Sequence, residues 1–141
     1  MVSLATSIGW NIHQRDVKTA FLNGTIDEEV YIEQPLGFEV KDGKAYVCRL
    51  KKALYGLKQA PRARYARMDA YLQRMCFTKS FVDLNLYIKV VDGEPIIILL
   101  YVDDLLLTSV EGRIEECKKK RVAKFDMKDL GLMHYYLGLE V

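Results

Sequence analysis

The chain has 141 residues, 50% of them apolar and 28% charged, with a formal net charge of +2. That length suits one globular domain with a real core and leaves little room for several subdomains, and the nearly balanced charge points to no particular partner. No apolar run approaches the roughly 20 residues a bilayer span needs, and the first residues lack the basic-then-apolar order of a signal peptide. Cys48, Cys76 and Cys117 are scattered without paired spacing, which reads as reduced thiols of an intracellular protein and not as a disulfide framework or a zinc site.

In chain order, Val2 to Trp10 reads as the end of a helix that opens apolar without a cap. From Asn11 the pattern turns extended, with Ile12, Val17 and Phe21 apolar among polar neighbours, and predicts a strand from Ile12 to Ala20 that ends near the Asn23-Gly24 turn. Asp27-Glu28-Glu29 reads as solvated, and Val30 to Gln34 as a short strand that Pro35 stops or pushes to an edge. Asp42-Gly43 signals a hairpin within Phe38 to Leu50, with Ala45 to Leu50 as the return strand.

Leu54 to Pro61 is a loop that runs into a helix, Pro61 suiting a first helical position. Tyr65, Met68, Leu72 and Met75 then recur at helical spacing on one face, with Arg67 and Arg74 on the other, as expected of a core stripe. Leu86 to Val91, the Asp92-Gly93 turn and Pro95 to Val102 form a hairpin, and Leu105 to Ser109 returns from a second one. A helix follows over about Arg113 to Phe125, acidic at its start and basic after it, an order that suits the helix dipole. Tyr135 to Val141 reads as a last strand, and both ends read as truncated. Strands joined by tight turns with helices among them predict an α+β fold on an antiparallel sheet, without internal boundaries.

Ile96 to Ser109 sets the problem that organises the chain. Nine of its first twelve residues are aliphatic, yet Asp103 and Asp104 stand in its middle. Carboxylates are poorly tolerated in a core unless they are paired or bound to a metal. Two readings stay open on residue types alone. One is a solvated turn, for which Asp is an ordinary choice; the other is a tip that holds hard divalent cations through carboxylate oxygens. This turn lacks the glycine of the others, and adjacent like charges cost electrostatic energy that a cation would offset.

Five blocks in order then resemble the reverse transcriptase of copia-type long-terminal-repeat retrotransposons, over essentially the whole chain. They are Asp16-Val17-Lys18-Thr19-Ala20-Phe21-Leu22-Asn23-Gly24, Glu29-Val30-Tyr31-Ile32-Glu33-Gln34-Pro35, Leu54-Tyr55-Gly56-Leu57-Lys58-Gln59-Ala60-Pro61-Arg62, Tyr101-Val102-Asp103-Asp104, and Lys128-Asp129-Leu130-Gly131 with Tyr136-Leu137-Gly138. The chain departs from the usual family pattern at Arg64 (Trp), Cys76 (Gly) and Leu84 (Pro).

The resemblance implies a right-hand polymerase palm with part of the fingers: an antiparallel sheet with helices packed on one face, truncated at both ends, in one partial domain over residues 1–141. It implies two Mg²⁺ (or Mn²⁺) ions, with Asp16 and Asp103 as principal ligands, Asp104 in support and the Val17 backbone carbonyl beside them. The family reaction is template-directed addition of deoxynucleotides to a primer on an RNA or DNA template. The same likeness puts Phe21 beneath the incoming sugar, Tyr55 and Gly56 in the nucleotide-binding block, and Lys58, Arg62, Arg64 and Arg67 near nucleic acid. The rest of a Gag-Pol-type polyprotein is the expected partner, no membrane is expected, and the family's setting is a cytoplasmic virus-like particle or the nucleus.

Parts of the fingers, the thumb, the connection and the RNase H region lie outside the matching blocks, so weak activity or none is expected of the chain alone. A non-catalytic remnant that binds nucleic acid through Lys58, Arg62, Arg67 and Arg74, or a chain without a stable fold, are the alternative expectations.

Overall fold

The computed structural model describes residues 1–17, 26, 28–40, 46–110, 112–114, 127–136 and 138–140. Two compact units are defined by internal contacts: Met1–Thr19 with Asp69–Val141, and Ala20–Met68. The elements are mostly antiparallel strands with two helices among the described residues, an α+β composition.

The first unit is built on a six-stranded antiparallel sheet. Its strands are β1 (Ile12–Val17), β4 (Thr78–Lys79), β5 (Leu86–Val91), β6 (Glu94–Tyr101), β7 (Asp104–Ser109) and β8 (Met127–Leu132), in the order β4-β5-β6-β7-β1-β8. The β5–β6 hairpin turns on Asp92 and Gly93, both at positive φ (52° and 83°), the geometry a two-residue primed turn demands. The Asp92 carboxylate also pairs with Arg113 at 2.7 Å.

Leu105, Leu106 and Leu107 are all buried in β7, as are Ile96, Ile97 and Ile98 in β6. Consecutive buried residues on strands of period two mean that both sheet faces are covered. On one face, Ile12 and Leu106 pack with Ala5 of α1 (Val2–Ile8) and with Met133, beside Trp10, Leu99 and Tyr136. On the other, the Tyr87 hydroxyl donates to Asp69 of α2 (Ala60–Arg74) at 2.6 Å, and the Lys89 ammonium to the Met75 carbonyl at 2.9 Å. α1 and the Asp69–Arg74 end of α2 therefore sit on opposite faces, which corrects the expectation of helices on one face. The continuous apolar runs of β6 and β7 are the physical reason, because each would leave a bare face under a one-sided layer.

Gly9 ends α1 in the left-handed region. Cys76 does the same beyond α2 at φ 60°, with Phe77 N–H on the Leu72 carbonyl and Cys76 N–H on the Gln73 carbonyl, the cap position where glycine avoids a Cβ clash. The buried stripe of α2 is Ala60, Arg64, Met68 and Leu72, four residues apart; Tyr65 and Met75 flank it half-buried. Arg64, only 8% exposed, lies on the inward stripe, so it is not a surface contact for phosphates.

In the second unit, β2 (Tyr31–Glu33) pairs with β3 (Val47–Arg49). The return strand thus partners the Tyr31 segment and closes a wide loop, in which Gln34 donates to the Tyr46 carbonyl and accepts from Val40 N–H. Two further differences concern the C-terminal region. Met127–Leu132 is a sheet strand that its charges and glycine concealed, and the expected last strand is instead a small hairpin of β9 (Tyr135–Tyr136) and β10 (Leu139–Glu140) turning at Gly138. The Asn23-Gly24 and Asp42-Gly43 turns and most of the Arg113–Phe125 helix lie outside the described residues. No helix among the described residues is long and apolar enough to cross a membrane.

Candidate active site

Two of the acidic residues come side by side where β1 pairs with β7 next to the turn of the β6–β7 hairpin. Tyr101 pairs with Asp104, so the two-residue turn is Val102-Asp103 and Asp104 already belongs to β7. Val102 takes φ 44°. A β-branched side chain in that region is strained, by on the order of 1–3 kcal/mol, and such strain persists only where its surroundings enforce it. Here the Asp103 carbonyl is fixed by the Val17 N–H at 3.0 Å, which ties the turn to the end of β1.

That bond also defines the carboxylate geometry. Asp16 and Asp104 are register partners across β1 and β7, and a bond from Val17 N–H to the Asp103 carbonyl makes them a non-hydrogen-bonded pair. In such pairs the Cα atoms are about 4.5 Å apart and the side chains leave the sheet on one face, close together. Two like charges directly opposite each other oppose folding. Asp16, Asp103 and Asp104 are all half-buried, and one Asp103 carboxylate oxygen is fully covered.

Gln14 and Tyr136, which sequence reasoning did not single out as site residues, complete the surroundings of Asp104. The Gln14 side-chain amide donates to Asp104 Oδ1 at 2.9 Å. Gln14 lies two residues before Asp16, so strand period alone puts both side chains on the same face. The Tyr136 ring meets Tyr101 edge-on, centroids 5.8 Å apart, and its hydroxyl is buried without a hydrogen-bond partner among the described residues. Burial, then the nearby charge of Asp104 and Tyr101, push the Tyr136 phenol up to about 12, so it stays protonated at neutral pH. Lys128, exposed on β8, is the register partner of Asp16.

One residue from Asp16 but on the opposite face, Arg15 is buried and pairs with Asp129 at 3.6 Å. A register shift between Gln14 and Arg15 brings Asp129 across from Arg15 and Gly131 across from Gln14. The Asp129 carboxylate also accepts from the Gly131 N–H at 3.0 Å, which holds the bulge.

The other expected site residues fall elsewhere. Tyr55 is 83% exposed and Gly56 has φ 91°, a conformation glycine adopts without strain; both lie in the Ala20–Met68 unit, as do the exposed Lys58, Arg62 and Arg67. Phe21 lies outside the described residues. The Val17 carbonyl is on β1 beside the turn.

As donors, closely spaced carboxylates match a hard divalent cation, and the neutral amide of Gln14 leaves their charge intact. Among the described residues, no three His, Cys, Asp or Glu side chains converge into a single ligand group. The fit is thus one of chemistry and of the Asp16–Asp104 pair, not of a completed three-carboxylate cage.

A sheet presenting paired aspartates beside a strained Tyr-Val-Asp-Asp turn is what the resemblance to polymerases leads one to look for, and comparison with known proteins shows the class. The profile of the reverse transcriptase (RNA-dependent DNA polymerase) family matches residues 1–141, and the chain belongs to that family. Its relatives are the Pol polyproteins of copia-type retrotransposons. The chain is 45% identical over 143 residues to the "Retrovirus-related Pol polyprotein from transposon TNT 1-94" of Nicotiana tabacum. It is 41% identical over 141 residues to the polyprotein from transposon RE2 of Arabidopsis thaliana. To the transposon Ty1-BR Gag-Pol polyprotein of Saccharomyces cerevisiae it is 32% identical over 151 residues. These matches cover 100%, 99% and 99% of the chain but 11%, 10% and 8% of the polyproteins, so the chain spans about a tenth of their length. No solved structure matches the chain significantly.

Proposed function

We propose that this chain is the palm, with part of the fingers, of a retrotransposon reverse transcriptase, and that it takes part in template-directed addition of deoxynucleotides to a primer. The observation that carries the reading is the Asp16–Asp104 cross-strand pair beside the Val102-Asp103 turn, which sets like charges side by side. Membership of the reverse transcriptase family supports it.

In this reading Asp16, Asp103 and Asp104 hold Mg²⁺ or Mn²⁺, with the Val17 carbonyl at the edge of the site. Bound there, divalent ions supply charge neutralisation for attack by the primer hydroxyl and for departure of pyrophosphate. The chain's own contribution would be placement: β1 and β7 fix Asp16 and Asp104 side by side, and Asp103 stands in the turn just before Asp104. Phe21 would exclude a 2′ hydroxyl by clash, Tyr55 and Gly56 would approach the nascent base pair, and Lys58, Arg62 and Arg67 would meet nucleic-acid phosphates. The remainder of a Gag-Pol-type polyprotein would supply the other parts of the enzyme.

Primer extension on an RNA template with Mg²⁺ tests the proposal. The chain alone is expected to incorporate deoxynucleotides weakly or not at all. Substituted for the matching tenth of the TNT 1-94 polyprotein, it should restore incorporation, and Asp16→Asn, Asp103→Asn or Asp104→Asn should each abolish it. Incorporation that survives Asp16→Asn and Asp104→Asn would sink the proposal. Salt-sensitive primer-template binding with no incorporation in the chimera would favour a non-catalytic remnant, since phosphate contacts weaken steeply with salt.

A further inference from the structure

Away from the carboxylates, the same face of β1 and β7 carries Ile12, Leu106 and Thr108, whose hydroxyl donates to the Asn11 carbonyl. Ile12 is 4% exposed and Leu106 is fully buried, and Gln14 stands between Ile12 and Asp16 as the register partner of Leu106. A leucine or methionine there would extend the core. Gln14 instead spans diagonally to Asp104 and donates its amide to Oδ1 at 2.9 Å. On the β6 side the register partner of Asp104 is Tyr101, whose ring packs edge to face against Tyr136.

We propose that Gln14 is a positioning residue for Asp104: its side-chain amide holds Oδ1 and thereby turns the other carboxylate oxygen and the full negative charge towards Asp16.

The chemistry explains why the donor is an amide. Asp16 repels Asp104 across the strands, so an untethered Asp104 would rotate away from its partner. A lysine or arginine in place of Gln14 would hold Asp104 equally well, but it would neutralise the charge and compete with a cation for it. An amide donates one hydrogen bond to one oxygen and adds no charge. This is how residues beside a metal ligand orient it, and their loss typically weakens metal affinity 10- to 100-fold. The proposal rests on the assignment of Asp16 and Asp104 as cation ligands.

The test uses Mn²⁺ as the probe on the full chain, with affinity and electron paramagnetic resonance lineshape measured alongside thermal melting. Gln14→Met keeps the length and removes the donor. It is expected to melt close to the unmodified chain, to bind Mn²⁺ about tenfold more weakly, and to give a broadened, less symmetric Mn²⁺ spectrum. Gln14→Lys keeps a donor and adds charge; it is expected to melt higher and to lose Mn²⁺ binding. If Gln14→Met does not fold, Gln14→Asn, which keeps the amide but cannot span the contact, is expected to show the same loss.

Mn²⁺ affinity and lineshape unchanged in Gln14→Met, with binding abolished by Asp104→Asn, would overturn the role of Gln14 alone. An unmodified chain that takes up no Mn²⁺, or uptake that survives Asp104→Asn, would overturn the ligand assignment and this proposal with it.

Discussion

Two acidic centres lie on opposite faces of the same sheet, and their surroundings are opposite in kind. Asp69 receives Tyr87 at 2.6 Å, Lys79 at 2.9 Å and Gln73 at 3.0 Å, so its charge is balanced and its lone pairs are occupied. Burial works to raise the Asp69 carboxyl, but those hydrogen bonds and the Lys79 charge outweigh it and leave it below its ordinary value. The Asp16–Asp104 pair has a neutral donor on one Asp104 oxygen and a like charge opposite, with the exposed Lys128 across from Asp16 on β8. One centre fastens α2 to the sheet; the other opposes the fold that holds it. The difference separates a carboxylate kept for stability from carboxylates kept for something else, although residue type and burial are similar.

The largest effect that would break this contrast is at Asp69. Asp69→Ala leaves a buried phenol and a partly buried ammonium without their acceptor, and should cost about 2–4 kcal/mol in a urea melt. A loss under 1 kcal/mol would mean that the two centres do not differ as described.

Acid titration of stability reads the same contrast by sign. A carboxyl lowered by folding contributes stability that is fully present above its unfolded pKa, about 3.9, and is lost as pH falls through the folded value. The unmodified chain should therefore lose stability below about pH 4, and Asp69→Asn should flatten that part of the profile. An unchanged slope would show that other carboxyls govern it.

At the end of α2, Cys76→Gly removes the strain of a side chain at φ 60° and should raise stability by roughly 1 kcal/mol without altering Mn²⁺ binding. Destabilisation would mean that the thiol contributes packing there.

The smallest expected effect is opposite in sign to that at Asp69. Asp104→Asn keeps an acceptor for Gln14 and removes the like charge, so it should stabilise the chain by about 0.2–1 kcal/mol while abolishing Mn²⁺ binding. A destabilised Asp104→Asn would show that the pair is not under repulsion.

Much of this was legible in the residues. The β5–β6 hairpin announced itself through Asp92-Gly93, and the run Ile96 to Ser109 gave its strands through continuous aliphatic character interrupted by two aspartates. Register was not legible. Strands ending at Val102 and resuming at Leu105 put the turn on Asp103-Asp104, whereas Tyr101 pairs with Asp104 and the turn is Val102-Asp103. Met127–Leu132 carries Lys, Asp and Gly and has no alternation to betray a strand; its partner β1 and the Arg15–Asp129 pair define it instead.

The departures at Arg64 and Cys76 become intelligible only in three dimensions. The first occupies a buried stripe where an aromatic is usual, the second a left-handed cap where glycine is usual. Nothing in the structure explains Leu84, which is exposed.

The cross-strand pair also bears on how copies of such an element age. Random change at most buried positions is exposed by misfolding and proteolysis, so quality control preserves the core whether or not the product works. At Asp104 that filter is expected to run the other way, because replacing this carboxylate relieves its repulsion with Asp16. A copy that had lost its chemistry would shed Asp104 without a penalty in abundance. Stability alone therefore accounts for a buried leucine but not for two carboxylates set side by side.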